Sequence, residues 1–209
     1  MGRHGKHGNP EDLDAYVAKM EDPSRDAWQK PDEVVRALGV SPGQTVGDVG
    51  AGPGDFSLRF ARAVQGGHGR VFATDVEPRM LAALQKRLRA SGLRNLTPVL
   101  GLEDDALLPE GSCDLVLIVD TYHHFPDGPT FLRRLAGALR PGGRIANIDF
   151  HERELPVGPP PAHKVPRARF LGDAKEAGLR LVAEHEFLPF QYFVVLEPSF
   201  RHLPGLSGG

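Results

Sequence analysis

The length, charge and composition of the chain exclude several classes of protein. Its 209 residues can bury a full hydrophobic core within one domain. The formal net charge of −2 argues against a general nucleic-acid binder, because such proteins carry a strongly basic face that neutralises phosphates. No apolar run approaches the roughly 18 residues of a membrane span. The first eight residues lack the apolar stretch of a signal peptide, so we expect a cytoplasmic protein without membrane insertion.

The N-terminal part of the chain divides into two segments. Residues 1–10 are rich in Gly and His without apolar periodicity, which predicts a disordered arm. Residues 11–40 have apolar side chains at helical spacing and predict one or two helices, the second with Pro31 in its first turn. A globular domain is then expected over 41–198, followed by a flexible tail over 199–209.

The rest of the chain alternates between strand and helix patterns. We predict strands near 45–49, 70–75, 96–100, 114–119, 143–150, 180–188 and 190–197. We predict helices near 54–65, 78–91, 127–139 and 167–177. Such alternation is typical of an α/β fold with a parallel sheet that is covered on both faces. The link at 188–190 is too short for a parallel crossover, so the last two strands should form an antiparallel hairpin at the edge.

The turn after the first predicted strand contains three glycines, Gly50, Gly52 and Gly54. Glycine at this spacing allows positive φ angles and leaves bare backbone where a ligand must come close. The turn therefore indicates a nucleotide or nucleoside pocket, with an ordinary Gly-rich connection as the alternative. About twenty residues later, Asp75 ends the second strand, where a carboxylate can bind ribose hydroxyls. A helix N-cap before Pro78 is the alternative role for Asp75.

Several motifs together resemble the class I S-adenosylmethionine-dependent methyltransferases over roughly residues 30–197. The glycine turn 48–54 resembles the family's first motif, 114–120 its fourth strand and 139–145 the turn before its fifth strand. Residues 149–160 resemble a small-molecule, quinone-methylating branch. The resemblance implies a Rossmann-like, doubly wound, mostly parallel seven-stranded sheet with an antiparallel C-terminal hairpin. It also implies a helical lid over 11–40 and S-adenosyl-L-methionine as the cofactor.

The resemblance implies a set of cofactor-binding residues. These are Asp48, Gly50, Ala51, Gly52, Gly54, Asp75, Val76, Glu103, Asp104 and Asp120. Glu103 and Asp104 follow the third strand, where the family grips the adenine edge, and solvated loop acids are the alternative there. The sequence departs from the family pattern at Leu102, a place that often holds Asp.

The acceptor side of the predicted site is rich in aromatic and ionisable side chains. The lid and substrate candidates are Trp28, Gln29, Tyr122 and Asp149. Trp28 has the alternative role of fastening the lid helix to the sheet. His123, His124 and His151 are candidate general bases, because imidazole titrates near neutrality, and each of them has a packed structural role as the alternative. Asn147, Asp149 and His151 share one strand face because of their period-two spacing.

We therefore expect a methyltransferase that acts on oxygen, nitrogen or carbon of a small-molecule acceptor, as a monomer or homodimer. Alternatives are a metal-assisted O-methyltransferase that uses Asp120 and Asp149, a non-catalytic cofactor-binding protein of the same fold, and a nicotinamide dehydrogenase. No metal is expected for the principal hypothesis. The sequence has Gly-x-Ser-x-Gly at 39–43 and 205–209, but neither lies between a predicted strand and a predicted helix as a nucleophile elbow does, which argues against a serine hydrolase of that type.

Overall fold

A computed structural model of the protein describes residues 12–199. The predicted arm 1–10 and all of the predicted tail 199–209 except Ser199 lie outside the described residues. The α-helices are α1 (Leu13–Met20), α2 (Asp26–Gln29), α3 (Pro31–Leu38), α4 (Asp55–Ala63), α5 (Pro78–Ser91), α6 (Gly128–Ala138) and α7 (Arg167–Glu176). The strands are β1 (Thr45–Val49), β2 (Arg70–Asp75), β3 (Leu96–Leu100), β4 (Cys113–Val119), β5 (Leu139–Phe150), β6 (Leu179–His185) and β7 (Gln191–Pro198). Short 3-10 turns span Pro23–Arg25, Tyr122–His124 and Pro161–His163.

The seven strands form one sheet in the order β3-β2-β1-β4-β5-β7-β6. The first five strands pair in parallel, whereas β7 lies antiparallel between β5 and β6. This arrangement confirms the predicted Rossmann-like fold with its antiparallel C-terminal hairpin. The winding direction reverses between β1 and β4, which places a ligand-binding crevice at the carboxyl ends of these two strands.

Strand β5 begins earlier than the sequence pattern predicts. The pattern places its start at residue 143, but the strand extends from Leu139, which pairs with Cys113 of β4. Helix α6 stops at Ala138 because the residue that precedes Pro141 disfavours helical backbone, and Leu139 is already extended. Gly142 then takes a φ of 83°, and the chain resumes the ladder with β4 at Arg144.

Local sequence signals fix the helices on which the site depends. Helix α5 begins at Pro78 and is capped by the Glu77 carboxylate, which accepts from the Arg79 backbone N–H at 3.1 Å. Glu77, not Asp75, therefore is the N-cap of this helix. Helix α3 begins at Pro31, as predicted, because a proline in the first turn loses no helical hydrogen bond.

The two faces of the sheet each bury a hydrophobic cluster. One cluster packs α3, α4 and α5 on the sheet and includes Phe60 and Phe193. The other lies under α6 and α7 and includes Leu132 and Phe170. Because both faces are filled by apolar side chains, the polar residues that can act on a ligand lie at the edge of the sheet. No helix within residues 12–199 is long and apolar enough to cross a membrane.

Candidate functional site

The glycine turn joins β1 to α4 at the carboxyl edge of the sheet. Gly50, Gly52 and Gly54 have φ values of 71°, 54° and 86°, in the left-handed region that other residues rarely adopt. A Cβ on Gly50 would overlap the side chain of Thr121, and one on Gly54 would overlap Leu84. The turn is further tied to β2, because the Gly50 and Ala51 N–H groups donate to the Thr74 carbonyl at 2.9 and 3.0 Å. Glycine is therefore required at these positions by the packing around the turn.

Asp75 holds the glycine turn in place. Its Oδ2 accepts from the Gly52 backbone N–H at 2.8 Å, and its Oδ1 accepts from the Glu77 N–H at 2.9 Å. Burial raises the pKa of the Asp75 carboxyl above its usual range, while the two backbone hydrogen bonds oppose this shift. The acid at the end of β2 thus lies directly beside the turn. Val76 follows it and is half-buried.

Asp48 lies within β1, below the turn, and is buried. Its Oδ2 accepts a hydrogen bond from the Ser57 hydroxyl of α4. Burial raises the pKa of the Asp48 carboxyl to about 7, although the Ser57 hydrogen bond opposes the shift. The carboxylate therefore connects the first strand to the first turns of the helix that the glycines begin.

Strand β4 ends at a second constrained position, Asp120. Its φ of 51° is unusual for a residue other than glycine, and its backbone N–H donates to the Ile148 carbonyl. Its Oδ1 accepts from the Gln191 side-chain amide at 2.8 Å. Burial and the neighbouring Asp149 raise the pKa of Asp120 to about 7, while Arg25 opposes the shift. A hydrogen-bonded carboxyl group is thus positioned at the switch point.

Tyr122, His123 and His124, which follow Thr121, have different surroundings. The ring of Tyr122 is buried, and its hydroxyl donates to Asp173 Oδ2 of α7 at 2.9 Å. Its pKa is raised by burial and by this carboxylate. The His123 and His124 rings lie with centroids 4.0 Å apart, but His124 is exposed whereas His123 is half-buried. His123 Nδ1 lies 4.0 Å from Asp149 Oδ2.

The polar row on β5 lies on the face that packs against Tyr192. Asn147 and Asp149 are fully buried, and the Asn147 amide donates to the Tyr192 hydroxyl at 3.3 Å. Asp149 lies opposite Tyr192 in the ladder with β7, and the His151 ring is centred 6.3 Å from the Tyr192 ring. Partial burial lowers the pKa of His151, and Arg153 adds to the effect. The three side chains therefore share one face, and Asp149 lies beside His123.

The acids after β3 lie in an exposed turn. The Asp104 carboxylate pairs with Arg134 of α6 at 3.0 Å, and Glu103 is also exposed. Leu102, which stands where the family often has Asp, exposes 54% of its surface. Asp104 is thus engaged with α6, and the turn presents an apolar side chain to solvent.

The predicted lid packs over this edge of the sheet. The Trp28 ring contacts Phe150 and Phe190, with centroids 5.6 and 6.3 Å away. The guanidinium group of Arg25 stacks over Trp28 at 5.0 Å, and it donates to the side chain of the buried Gln29 at 3.3 Å. Trp28 therefore fastens the lid to the ends of the sheet, while Arg25 places a positive charge near Asp120.

Several residues at the site were not identified from the sequence. The Tyr16 side chain lies close enough to Asp120 and Asp75 for both charges to raise its pKa, although burial is the larger cause. The Met20 methyl group lies 2.9 Å from the position that a Cβ on Gly52 would take. Helical spacing places Tyr16 and Met20 on one face of α1, but nothing in the sequence signals which surface that face covers. Thr121 and Gln191 carry no motif of their own.

Comparison with known proteins agrees with this geometry. Residues 46–143 match a methyltransferase domain family. A demethylmenaquinone methyltransferase of Listeria welshimeri is 30% identical over 129 residues, which cover 62% of this chain and 53% of that protein. A ubiquinone/menaquinone biosynthesis C-methyltransferase of Vibrio vulnificus is 33% identical over 113 residues, covering 54% of this chain and 43% of that protein. The chain thus spans about half the length of the curated relatives it matches.

A solved structure extends the likeness across most of the chain. The crystal structure of a SAM-dependent methyltransferase from Aquifex aeolicus has a TM-score of 0.82 and 27% identity, and the alignment covers 87% of this chain and 96% of that one. A doubly wound sheet with a glycine turn and an acid after β2 is typical of nucleoside-binding α/β proteins. The matched domain and these relatives show that the chain contains a domain similar to those of the S-adenosylmethionine-dependent methyltransferases.

The residues at the switch point fit the cofactor of this family. Carboxylates dominate the site, and two buried amide oxygens, Asn147 Oδ1 and Gln191 Oε1, have no hydrogen-bond donor. S-adenosylmethionine carries a sulfonium, an ammonium and ribose hydroxyl groups, which complement an acceptor-rich site. The pyrophosphate of a dinucleotide would instead add negative charge to it. Within residues 12–199, no group of three or more His, Cys, Asp or Glu side chains is arranged to hold a metal ion.

Proposed function

We propose that this protein transfers a methyl group from S-adenosylmethionine to oxygen, nitrogen or carbon of a small-molecule acceptor. The observation that carries the proposal is the meeting of the glycine turn, Asp75 and Asp120 at the switch point of the sheet. The proposed domain is residues 41–198, with 11–40 as its lid. The cytoplasmic location and the monomeric or homodimeric state stay predictions.

In this proposal the cofactor lies along the edge formed by the ends of β1, β2 and β4. The backbone from Gly50 to Gly54 approaches it, with Asp75 on the ribose and Val76 beside the adenine. Asp120 faces the methionine end, and Asp48 supports the turn from below through Ser57. Glu103 and Asp104 remain candidates for the adenine edge. When bound, the cofactor supplies a methyl group that its sulfonium already activates.

The work left to the protein is to align the acceptor and to exclude water. Trp28 and Gln29 lie on the lid, and Met20 and Tyr16 bring α1 against the turn and the two carboxylates. This cover supports a closed site during transfer. His123, His124 and His151 are the candidate bases for an acceptor that must lose a proton, with Tyr122 and Asp149 as further acceptor-side candidates.

The names of the curated relatives favour a quinone-like ring as the acceptor. Both relatives methylate intermediates of quinone biosynthesis according to their names, one of them at carbon. A planar ring is compatible with the aromatic side chains where the lid meets the sheet, Trp28 of the lid and Phe150 of β5. No contact in the site favours the metal-assisted alternative, since Asp120 is hydrogen-bonded to Gln191 and Asp149 Oδ1 accepts from the Phe150 N–H.

Incubating the protein with isotopically labelled S-adenosylmethionine and cell extract tests the proposal. Mass spectrometry should find label in one or a few small molecules, with S-adenosylhomocysteine formed in equal amount. The matched control is Gly50→Val, since a side chain there would overlap Thr121 and block the turn. Label that stays on the cofactor, or that appears equally with the Gly50→Val protein, would reject methyl transfer by this site.

A further inference from the structure

Two buried polar atoms face each other beside Asp120, and neither has a hydrogen-bond partner. They are Nδ1 of His123 and Oδ2 of Asp149, 4.0 Å apart. Asp149 exposes none of its surface, and its other oxygen already accepts from the Phe150 N–H at 2.8 Å. Buried polar atoms without partners are costly and uncommon in folded proteins. This pair therefore calls for a functional explanation.

The separation is longer than a hydrogen bond by about 1 Å, since N–H···O distances of roughly 2.7–3.2 Å are usual. A small rotation of either side chain would let Nδ1–H donate to the carboxylate. In that arrangement the carboxylate fixes the tautomer of the ring and leaves the lone pair on Nε2. Asp149 would then stabilise the imidazolium that forms when Nε2 takes a proton.

His123 also lines a cavity of about 230 Å³. Its side chain is 16% exposed, and because Nδ1 is buried, this exposed area belongs to the other atoms of the side chain. The apolar part of the wall comes from Tyr122, Phe125, Pro126, Pro129 and Val165. A cavity of about 150 Å³ can hold benzene, so this one has room for a single aromatic ring with a substituent.

We propose that His123 and Asp149 form a proton-accepting dyad for acceptors that place an aromatic hydroxyl group in this cavity. His123 is the base, and Asp149 is the positioning residue that orients it. The inference rests on the proposed methyl transfer and adds the acceptor class, a phenol or hydroquinone. The acceptor's O–H bond breaks and an N–H bond forms at Nε2. The electron pair left on the acceptor forms the new bond to the methyl group on oxygen. Where the conjugated ring carbon forms the bond instead, that carbon then loses its hydrogen to water as a proton, which restores the aromatic ring. The sulfonium bond electrons return to sulfur, and the imidazolium later releases its proton to water.

Several ionisable groups lie near the imidazole or line the same cavity. Asp149 Oδ2 lies 4.0 Å from Nδ1, the charge of Asp120 interacts with the ring, and the His124 ring is centred 4.0 Å away. Tyr122, Asp127, Arg169 and Asp173 line the cavity with His123. Carboxyl groups outnumber the single arginine in this set.

The ionisation of 4-nitrophenol, followed by the absorbance of its phenolate, tests the dyad directly. The protein is saturated with S-adenosylhomocysteine, and bound 4-nitrophenol is titrated with pH. We expect the wild-type protein to raise the ratio of phenolate to phenol about tenfold over free solution, which corresponds to one pKa unit. His123→Gln should abolish the rise, and Asp149→Asn should reduce it, because an amide cannot stabilise the imidazolium by charge. His68→Gln is the matched control. His68 is exposed and precedes the amino end of β2, whereas the site lies at the carboxyl ends of the strands.

Calorimetry with S-adenosylhomocysteine separates this proposal from the proposed function. Unchanged affinity in all three variants shows that each protein is folded and that its cofactor site is intact. If S-adenosylhomocysteine does not bind to the wild-type protein, the proposed function is rejected. The 4-nitrophenol titration is then carried out without S-adenosylhomocysteine, and its result still decides whether the dyad exists. The dyad is overturned if 4-nitrophenol does not bind, or if the rise persists in His123→Gln. It is also overturned if Arg169→Gln, and not His123→Gln, removes the rise.

Discussion

Asp75 Oδ2 accepts a hydrogen bond from the Gly52 backbone N–H at 2.8 Å, so the end of β2 holds the middle of the glycine turn. A second hydrogen bond, from the Glu77 N–H, fixes the other carboxylate oxygen. The acid is therefore oriented before any ligand arrives, and each oxygen keeps a lone pair for a further donor. The turn and the acid form one preorganised unit, which makes the affinity for the sulfur nucleosides the first property to measure.

We expect S-adenosylmethionine and S-adenosylhomocysteine to bind to the protein and NAD not to bind. A ligand that binds only the folded state at about 100 times its Kd raises the free energy of unfolding by roughly 2.7 kcal/mol. Thermal unfolding with each ligand, followed by calorimetric titration, measures this effect. Stabilisation by NAD without a response to either sulfur nucleoside would contradict the assignment of the site.

Gly52 should be needed for ligand affinity and not only for the shape of its turn. Gly52→Ala places a Cβ 2.9 Å from the Met20 methyl group and strains a backbone with φ 54°. Gly92→Ala is the matched control, since Gly92 has φ 70° at the end of α5 and a Cβ there contacts nothing within 4 Å. Both changes should cost on the order of 1–3 kcal/mol of stability through backbone strain. Only Gly52→Ala should also weaken S-adenosylhomocysteine binding, and equal affinity in the two variants would mean that the turn is purely structural.

Stability should fall as pH rises from about 4 to about 7, because Asp48 is buried. Its pKa is about 7 in the folded protein, against roughly 3.9 for an unperturbed Asp. In this window the unfolded chain releases the proton while the folded protein retains it, so stability decreases and remains low above pH 7. Asp120, whose pKa is also raised to about 7, acts in the same direction.

Asp48→Asn should make this pH dependence shallower, because it removes the ionisation and keeps an oxygen that can accept from Ser57. Urea unfolding at several pH values between 4 and 8 measures the slope. Asp14→Asn is the control, since Asp14 lies on the exposed side of α1. A slope that is the same in Asp48→Asn and in the wild type would show that Asp48 ionises similarly in the folded and unfolded states.

Methyl transfer should survive exhaustive treatment with EDTA. Displacement at an activated sulfonium needs no Lewis acid when the acceptor is correctly placed. The measurement is turnover before and after chelation, and again after addition of Mg²⁺. Loss on chelation with recovery on Mg²⁺ would favour the metal-assisted alternative through Asp120 and Asp149.

The fold could be predicted from the sequence because its signals are local. Strand periodicity, the antiparallel hairpin of the last two strands and Pro31 at a helix start each depend on a few neighbouring residues, and these three predictions are confirmed. The link of the hairpin is longer than predicted, because β6 ends at His185 and not at residue 188. The start of β5 could not be predicted, since Leu139 extends the strand only by pairing with Cys113, which is distant in sequence.

The residues of the site could be predicted only where they belong to a recognisable sequence motif. The glycine turn and Asp75 have a characteristic spacing, and the structure places them in contact. Gln191 donates to Asp120, which lies 71 positions earlier in the sequence, and Met20 reaches Gly52 only after α1 has packed on the turn. Such contacts depend on the tertiary arrangement of the lid and of the last strand, which leaves no short-range pattern.

The insertion of β7 between β5 and β6 has a consequence for biosynthesis. When β6 leaves the ribosome, it has no neighbour in the sheet, because its pairing partner is the strand that follows it. The edge of β5 also stays open until β7 is added, and β7 brings Gln191 to Asp120. Domains in which a late segment completes the sheet close only after synthesis of that segment. The nascent chain therefore acquires its two antiparallel ladders and the contact between Gln191 and Asp120 in the same step.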